Sequence, residues 1–196
     1  MKSAKTYILG LSIIFMMTAA APLVSAQAAH IRWDIMSVTS GPGLTPPFVF
    51  NPGGSAAPVA SDGSTITLTG SGTFVSSTHG GSTSAVKGGG TWKVTSAGGT
   101  VTGSGTYEVT EVVSWLQTTT EDVPGVTDNI GNIAESSGGL AVLRVAYSDG
   151  TTGVLTVSCN GAFDPFSVFE GVIASKGAVQ YWNPGIYLYF TLFHVN

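Results

Sequence analysis

The sequence predicts an all-β protein built from antiparallel strands, and three observations lead to this prediction. Charged residues are only 9% of the chain, glycine accounts for 27 of 196 residues, and Ser and Thr are abundant. This composition is typical of short strands joined by tight turns. Apolar and polar residues alternate with a period of two in several segments, and none shows the period of a long helix. We therefore expect eight or nine strands.

Residues 1–26 have the three parts of an export signal. Lys2 and Lys5 are basic, and residues 7–21 are mostly apolar. Residues 24–26 place small side chains at the positions that signal peptidase recognises. A membrane-spanning helix needs about 20 mostly apolar residues, more than this run supplies. We expect cleavage after Ala26 and a secreted or periplasmic product that is not anchored in a membrane.

The mature chain is expected to be acidic, which limits its partners. Lys2 and Lys5 are two of the seven basic residues, whereas eleven residues are acidic. Nucleic-acid binding depends on Lys and Arg side chains that neutralise phosphates, so we exclude nucleic acid as a partner. Cys159 is the single cysteine, and the three histidines lack the spacing of a metal site. We predict no metal and no cofactor.

We expect the chain to be organised as a signal peptide over 1–26, an N-terminal part over 27–63 and a β-barrel domain over 64–196. In the N-terminal part, residues 31–38 alternate between apolar and polar side chains, as a half-buried strand does. The Pro- and Gly-rich residues 41–63 are expected to form an irregular connection.

A repeated pattern, Gly-x-Gly-Thr-aromatic, begins at Gly70, Gly88 and Gly103. A glycine-rich loop that binds phosphate is followed by a helix, but strand-like sequence follows each of these repeats. We therefore expect the glycines to absorb a bend or bulge and the Thr-aromatic pair to open a strand.

The second half of the sequence contains a hairpin signal and one long connection. Asp149-Gly150 separates two apolar runs and suits the positive-φ positions of a tight turn. Because most connections are short, we expect a meander that closes into a barrel, with a β-sandwich as the alternative. Residues 117–139 break this rhythm and are expected to be functional or disordered, with Asp128 as a candidate N-cap for a short helix.

Two carboxylates are candidate catalytic residues. Strict alternation along residues 106–116 places Glu111 on the same apolar face as Tyr107, and Glu170 also lies among apolar residues. Burial raises the pKa of a carboxyl group and suits it to general acid catalysis. Arg144 lies in an apolar stretch too, so an ion pair between Glu111 and Arg144 is the alternative to a catalytic or ligand-orienting role.

Aromatic side chains are the feature that most suggests a function. The interior of an eight-stranded barrel is wide enough for side chains or for one small ligand. An aromatic lumen with a few polar groups is the usual form of a small-molecule site, and core filling is the alternative. The residues expected to line such a lumen are Tyr107, Trp115, Tyr147, Phe169, Tyr181 and Trp182, together with Arg144.

The three Gly-x-Gly-Thr-aromatic repeats are followed by Gly-Leu-Ala-Val-Leu-Arg-Val over residues 139–145 and by Val-Phe-Glu-Gly over residues 168–171. In this strand rhythm, the chain from Ser64 to Val195 resembles bacterial proteins of the allene oxide cyclase and dirigent barrel group. The resemblance implies an eight-stranded antiparallel barrel, a lumen for an apolar ligand and frequent oligomers. It also implies, in some members, cofactor-free cyclisation steered by a buried acid, for which Glu111 and Glu170 are the candidates.

We therefore predict an exported β-barrel protein that binds a small apolar molecule in an aromatic-lined lumen. The first alternative is a cofactor-free isomerase or cyclase that uses Glu111 or Glu170. The second is a structural or surface-interaction protein whose aromatic residues form the interface of a homo-oligomer.

Overall fold

Thirteen β-strands and one short 3-10 helix make up the regular structure of the described chain. The computed structural model describes residues 28–42, 45–76, 85–120, 125–160, 168–182 and 189–196. The signal peptide predicted over 1–26 lies outside them. The predicted all-β class is confirmed, with more strands than the eight or nine expected. Within the described ranges, no helix has the length and apolar character needed to cross a membrane.

The strands differ in length from two residues to twenty. They are β1 (His30–Gly41), β2 (Thr45–Asn51), β3 (Val59–Ala60), β4 (Thr65–Leu68), β5 (Ser71–Val75), β6 (Val86–Thr95), β7 (Val101–Thr120), β8 (Val126–Asp128), β9 (Ser136–Tyr147), β10 (Thr152–Cys159), β11 (Gly171–Lys176), β12 (Val179–Trp182) and β13 (Phe190–Val195). The 3-10 helix is Ile133–Glu135.

All these strands belong to one large sheet, and its path of paired strands returns to its starting strand. Strands β10, β11, β12, β3, β4, β6, β7 and β9 follow one another by hydrogen-bonded pairing, and β9 pairs again with β10. β1 lies between β13 and β5 in the same sheet. The described pairings are antiparallel except that of β2 with β8. Several neighbours, such as β12 and β3, are distant in sequence, so the order is not that of a simple meander.

One apolar core lies on the face that these strands share. β1 contributes Ile31, Trp33 and Ile35, each at most 1% exposed. On the other face of β1, Arg32 and Asp34 point away from this core, as the period of two along a strand requires. β1 is therefore a central strand in which Asp34, on the face opposite the apolar core, is also buried.

Residues 41–63 are not an irregular connection as expected, because they contain β2 and β3. In β2, Phe50 lies opposite Val38 of β1, and Pro46 and Pro47 lie exposed at its start, where strands tolerate proline. In β3, Ala60 lies opposite Tyr181 of β12. Pairing with distant strands overrides the weak strand propensity of this segment.

The repeated glycines occupy two kinds of position. Gly70 lies between β4 and β5, as the predicted bend requires. Gly88 and Gly103 instead lie inside β6 and β7, so the strands open before the Thr-aromatic pairs and not at them. Inside β7, a Cβ added at Gly103 would lie 3.1 Å from the ring of Trp92, so this glycine leaves room for an aromatic ring.

The two predicted turn features have different outcomes. The Asp149-Gly150 hairpin is confirmed, because the Tyr147 N–H donates to the Thr151 carbonyl at 2.8 Å and Gly150 has a φ of 86°. The predicted helix after Asp128 is wrong. The short 3-10 helix starts later and has Asn132 as its N-cap.

Candidate functional site

Glu111 does not lie on the buried face of β7. One extra residue stands between Val109 and Glu111 in the register with β9, where Glu111 pairs with Arg144. Such a bulge shifts the alternation of side chains by one residue. Tyr107 and Val109 are therefore buried before the bulge and Val112 after it, whereas Glu111 faces outward. The prediction that Glu111 shares the apolar face is wrong for this reason.

Glu111 and Arg144 form an ion pair on the outer surface of the sheet. The Arg144 Nε lies 2.9 Å from Glu111 Oε2, and the two side chains are 60% and 33% exposed for Arg144 and Glu111, respectively. The pairing predicted as the alternative to a catalytic role is what the structure shows. Neither side chain is directed at the aromatic core.

Glu170 holds three parts of the chain together. Its Oε1 accepts hydrogen bonds from the Thr191 N–H at 2.7 Å and from the Thr191 hydroxyl at 3.3 Å. Its Oε2 accepts from the Asn160 N–H at 2.8 Å. Because both oxygens act as acceptors for neighbouring strand ends, the arrangement suits a structural carboxylate better than a proton donor.

Tyr107 and Tyr147 lie in a closed part of the core. The Tyr107 hydroxyl donates to the Thr69 carbonyl at 2.9 Å, and the Tyr147 hydroxyl donates to the Ser175 carbonyl at 2.8 Å. Burial raises the pKa of both phenols well above 10. Their polar groups are thus already satisfied by backbone oxygens.

Lys176 covers this end of the core. Its Nζ lies 4.2 Å from the ring centroid of Trp92 and 5.2 Å from that of Tyr147, and it pairs with Asp149 and with the Thr151 hydroxyl. A cation over aromatic faces is stabilised by their quadrupoles. Lys176 therefore lies over the end of the aromatic core that contains Tyr107 and Tyr147.

Three other residues expected to line a lumen lie in different places. Tyr181 is 3% exposed and belongs to the core. Phe169 is half-buried before β11, and its carbonyl accepts from the Ser158 hydroxyl. Trp182, next to Tyr181 on β12, is 57% exposed and lies on the outer face. The structure therefore does not bring the predicted set together.

Trp115 occupies an aromatic group where the core reaches the surface. Its ring centroid lies 4.6 Å from that of Phe193 and 5.7 Å from that of Phe74, and both of these phenylalanines are buried. Trp115 itself is only partly buried. We name Phe74, Trp115 and Phe193 the Trp115 cluster.

Two polar residues, Gln117 and Thr118, follow Trp115 along β7. The Gln117 amide donates to the Ser137 hydroxyl at 3.2 Å. The Thr118 hydroxyl is buried, and it lacks a hydrogen-bond partner among the described residues. A buried hydroxyl without a partner is costly.

A second cluster, of charged side chains, lies on the outer face of β1 and β13. Arg32 donates to both carboxylate oxygens of Asp34, at 2.7 and 3.0 Å. The His194 Nε2 lies 2.7 Å from Asp128 Oδ2, and these side chains are 4% and 2% exposed, respectively. Sequence reasoning missed this cluster. The alternation of Arg32 and Asp34 with apolar residues predicts a strand face in contact with solvent. The burial of Asp34 follows only from the pairing of β1 with β13 and from the segment around Ile130 that crosses this face.

The two carboxyl groups of this cluster respond oppositely to their surroundings. Burial raises the pKa of Asp34, and the Arg32 guanidinium only partly opposes this. Burial also acts to raise the pKa of Asp128, but hydrogen bonds from His194 and from the Ile130 and Gly131 N–H groups outweigh it and leave that pKa lowered. Asp128 is therefore held in its ionised form.

The charged cluster is not arranged for metal binding. In the part of the chain that the structure describes, no three His, Cys, Asp or Glu side chains are grouped in a way that could hold a metal ion. The His194 Nδ1 is buried and has no hydrogen-bond partner in the same described ranges. The cluster instead joins Asp128, the last residue of β8, to His194 of β13.

Comparison of the chain with protein-family models, with curated proteins and with solved structures finds no match. The fold and the two clusters therefore define the class of protein by themselves. Over the described residues, the chain is an all-β protein in which a large sheet rings round an aromatic core, and the core reaches the surface at Trp115.

Proposed function

We propose that the chain is an exported protein that binds a small apolar molecule at the Trp115 cluster. The observation that carries the proposal is the partly exposed Trp115 ring, which continues inward to the buried rings of Phe74 and Phe193. Small-molecule sites are mostly apolar and aromatic, with a few polar groups that fix the orientation of the ligand.

Most of the residues that the sequence analysis expected to contact the ligand lie outside the Trp115 cluster. The hydroxyls of Tyr107 and Tyr147 are already bonded to backbone carbonyls, and Lys176 covers that end of the core. Arg144 and Trp182 lie on the outer surface. Trp115 is the residue of the original set whose position supports ligand contact.

A binding experiment with two tryptophan variants tests the site. The neutral fluorescent probe N-phenyl-1-naphthylamine is titrated into the purified protein, and native mass spectrometry is used to count bound fatty acids, terpenoids and aromatic ketones. Trp115→Ala is expected to weaken probe binding at least about 10-fold, since it removes most of the contact surface. Trp182→Ala is the matched control, because Trp182 is the exposed tryptophan on the other face, and it is expected to bind like the parent. Equal affinity in all three proteins contradicts the site.

The export part of the proposal rests on residues 1–26 and has its own test. The full chain is produced in a bacterial host, the periplasm and medium are separated from the cytoplasm, and the first residue of the product is determined. Cleavage after Ala26 leaves Gln27 as the first residue. Recovery of the chain with its first 26 residues intact from the cytoplasm alone contradicts export.

A further inference from the structure

The indole N–H of Trp33, on β1, is a buried hydrogen-bond donor. The Trp33 side chain is 0% exposed and belongs to the aromatic core. Its Nε1 makes no hydrogen bond within the part of the chain that the structure describes. A buried indole N–H usually has an acceptor, because an unpaired donor gives up its hydrogen bonds to water and gains none in return. The Trp33 N–H is therefore a candidate donor to a bound molecule.

Other polar groups of the aromatic core have acceptors in the protein itself. The Trp92 Nε1 donates to the Thr106 carbonyl at 3.0 Å. The hydroxyls of Tyr107 and Tyr147 donate to backbone carbonyls at 2.9 and 2.8 Å. Buried polar groups that are paired in this way stabilise the fold. Trp33 differs from them, since its N–H contributes no hydrogen bond to the described structure.

Two glycines explain why the Trp33 indole meets no acceptor. A Cβ added at Gly72 would lie 2.7 Å from the Trp33 Nε1, and one added at Gly88 would lie 3.3 Å from its Cζ2. Gly72 and Gly88 lie opposite each other in the register of β5 and β6, so the indole lies across two paired strands. The carbonyls of paired strands point along the sheet toward the neighbouring strand, and glycine has no side chain. The surface beneath the indole therefore provides space but no acceptor.

Trp33 adjoins the buried members of the Trp115 cluster. In the register of β1 and β13 it lies directly opposite Phe193, and both residues belong to the aromatic core. Residues that lie directly opposite each other on one face of a sheet have Cβ atoms about 4.5–5.5 Å apart. On its other side Trp33 lies opposite Gly72, which is two residues before Phe74 on β5. The ring of Trp33 therefore continues the Trp115 cluster into the core.

We infer that Trp33 determines the specificity of the proposed site, and that the preferred ligand is an apolar molecule with a hydrogen-bond acceptor, such as a ketone or ester carbonyl, at its buried end. The inference rests on the proposed binding function at the Trp115 cluster. The aromatic rings contact the apolar body of the ligand, while the Trp33 Nε1–H donates to its acceptor oxygen. A hydrocarbon of the same shape leaves this donor unpaired, so the site discriminates against it.

Two naphthalenes of the same shape test this preference. 2-Acetylnaphthalene carries a ketone, and 2-isopropenylnaphthalene has a methylene group in place of the ketone oxygen. Each is titrated into the parent protein loaded with N-phenyl-1-naphthylamine, and displacement of this probe gives the dissociation constant. The ketone is expected to bind about 10-fold more tightly because of the new hydrogen bond. This preference is opposite to the one expected from hydration, since water solvates the ketone better than the hydrocarbon.

Nuclear magnetic resonance of the indole N–H groups shows which tryptophan responds. The signal of Trp33 is expected to move downfield with the ketone and not with the hydrocarbon, because a new hydrogen bond deshields the donated proton. Ring currents of the two compounds are alike, so the difference between the two spectra reports the hydrogen bond. The signal of Trp182 is the internal control, because this ring is 57% exposed on the outer face. A Trp33 signal that responds equally to both compounds overturns the inference.

Replacement of the Trp33 indole by benzothiophene separates the hydrogen bond from the ring. The side chain is introduced as an unnatural amino acid, and it keeps the shape of tryptophan with sulfur in place of the N–H. The advantage of the ketone over the hydrocarbon is expected to fall below about 2-fold. The same replacement at Trp182 is expected to leave the advantage at its parent value. A ketone preference that survives the replacement at Trp33 overturns the inference.

The affinities also separate this inference from the binding proposal. Equal affinity of the two naphthalenes for the parent, with weaker binding of both to Trp115→Ala, overturns the inference and leaves the binding proposal standing. Failure of the parent to bind either naphthalene or N-phenyl-1-naphthylamine defeats both. If the benzothiophene protein does not fold, the affinity ratio and the indole spectra of the parent decide the question by themselves.

Discussion

The indole of Trp115 lies over Gly139, in the space that a side chain at residue 139 would occupy. A Cβ added at Gly139 would lie 2.7 Å from Trp115 Cζ3 and 2.7 Å from the Leu116 carbonyl oxygen. Large rings elsewhere in the core lie over glycines in the same way. The further pairs are Trp33 with Gly72, Trp92 with Gly103, and Tyr147 with Gly153. Much of the glycine content of the strands therefore makes room for aromatic rings.

Gly139→Ala is expected to lower the free energy of unfolding by about 1–3 kcal/mol, because the new methyl group overlaps both the Trp115 ring and backbone of β7. Gly98→Ala is the control, since its nearest neighbour, the Ser96 Oγ, would lie 3.8 Å away. Urea denaturation followed by circular dichroism measures both variants. A Gly139→Ala protein as stable as the control contradicts the packing described here.

Asp128→Ala is expected to be far more destabilising than Arg144→Ala, although each removes one partner of a contact that involves a carboxylate. Asp128 and His194 are 2% and 4% exposed, so the variant leaves the buried His194 Nε2 and the Ile130 and Gly131 N–H groups without their acceptor, and each buried group left unpaired costs about 1–3 kcal/mol. Arg144 is 60% exposed, and an exposed pair contributes less than about 1 kcal/mol. Chemical denaturation of both variants checks the difference. Similar losses in the two proteins contradict the contrast in burial.

The class of fold could be predicted from the sequence, whereas the position of Glu111 could not. Composition and alternation are enough to predict strands, and Asp149-Gly150 predicts the β9–β10 hairpin. The extra residue before Glu111 moves Glu111 to the outer face, a second register shift between Val112 and Ser114 restores the original alternation for Trp115, and no sequence pattern announces either shift. Alternation therefore placed Tyr107 correctly and Glu111 on the wrong face.

The charged cluster could not be predicted because its burial depends on distant pairing. Arg32 and Asp34 alternate with apolar residues exactly as on a strand exposed to water on one side. Asp34 is nevertheless buried and Arg32 partly so, because β13 brings His194 opposite Arg32 and because residues 125–135 cross the same face. A period of two indicates that a strand has two different faces, but it does not tell what covers each of them.

Tyr107 and Tyr147 are expected to remain protonated at alkaline pH, when exposed phenols ionise. Burial raises the pKa of both phenols above their usual value of 10. Absorbance at 295 nm, recorded from neutral pH upward, should show these two phenols ionising only with unfolding. Tyr107→Phe and Tyr147→Phe should leave the early part of the titration unchanged. A reduced early amplitude in either variant contradicts burial of that phenol.

Asp149 is expected to titrate at unusually low pH because of Lys176. Hydrogen bonds from Lys176 and from Thr151 lower the pKa of Asp149 from 3.8 to about 2. Since the pKa is lower in the folded protein than in the unfolded chain, the ionised side chain stabilises the fold above pH 3.8, and this contribution is lost as the pH falls toward 2.

Carbon-detected NMR of the Asp149 carboxyl group measures this titration directly, with Lys176→Met as the comparison. The methionine keeps apolar contact with the rings of Trp92 and Tyr147 but removes the donor, so the midpoint should move back toward 3.8. Added salt should move the parent midpoint in the same direction, because Asp149 is exposed and its charge is screened. A midpoint that is the same in both proteins shows that Lys176 does not hold the carboxylate.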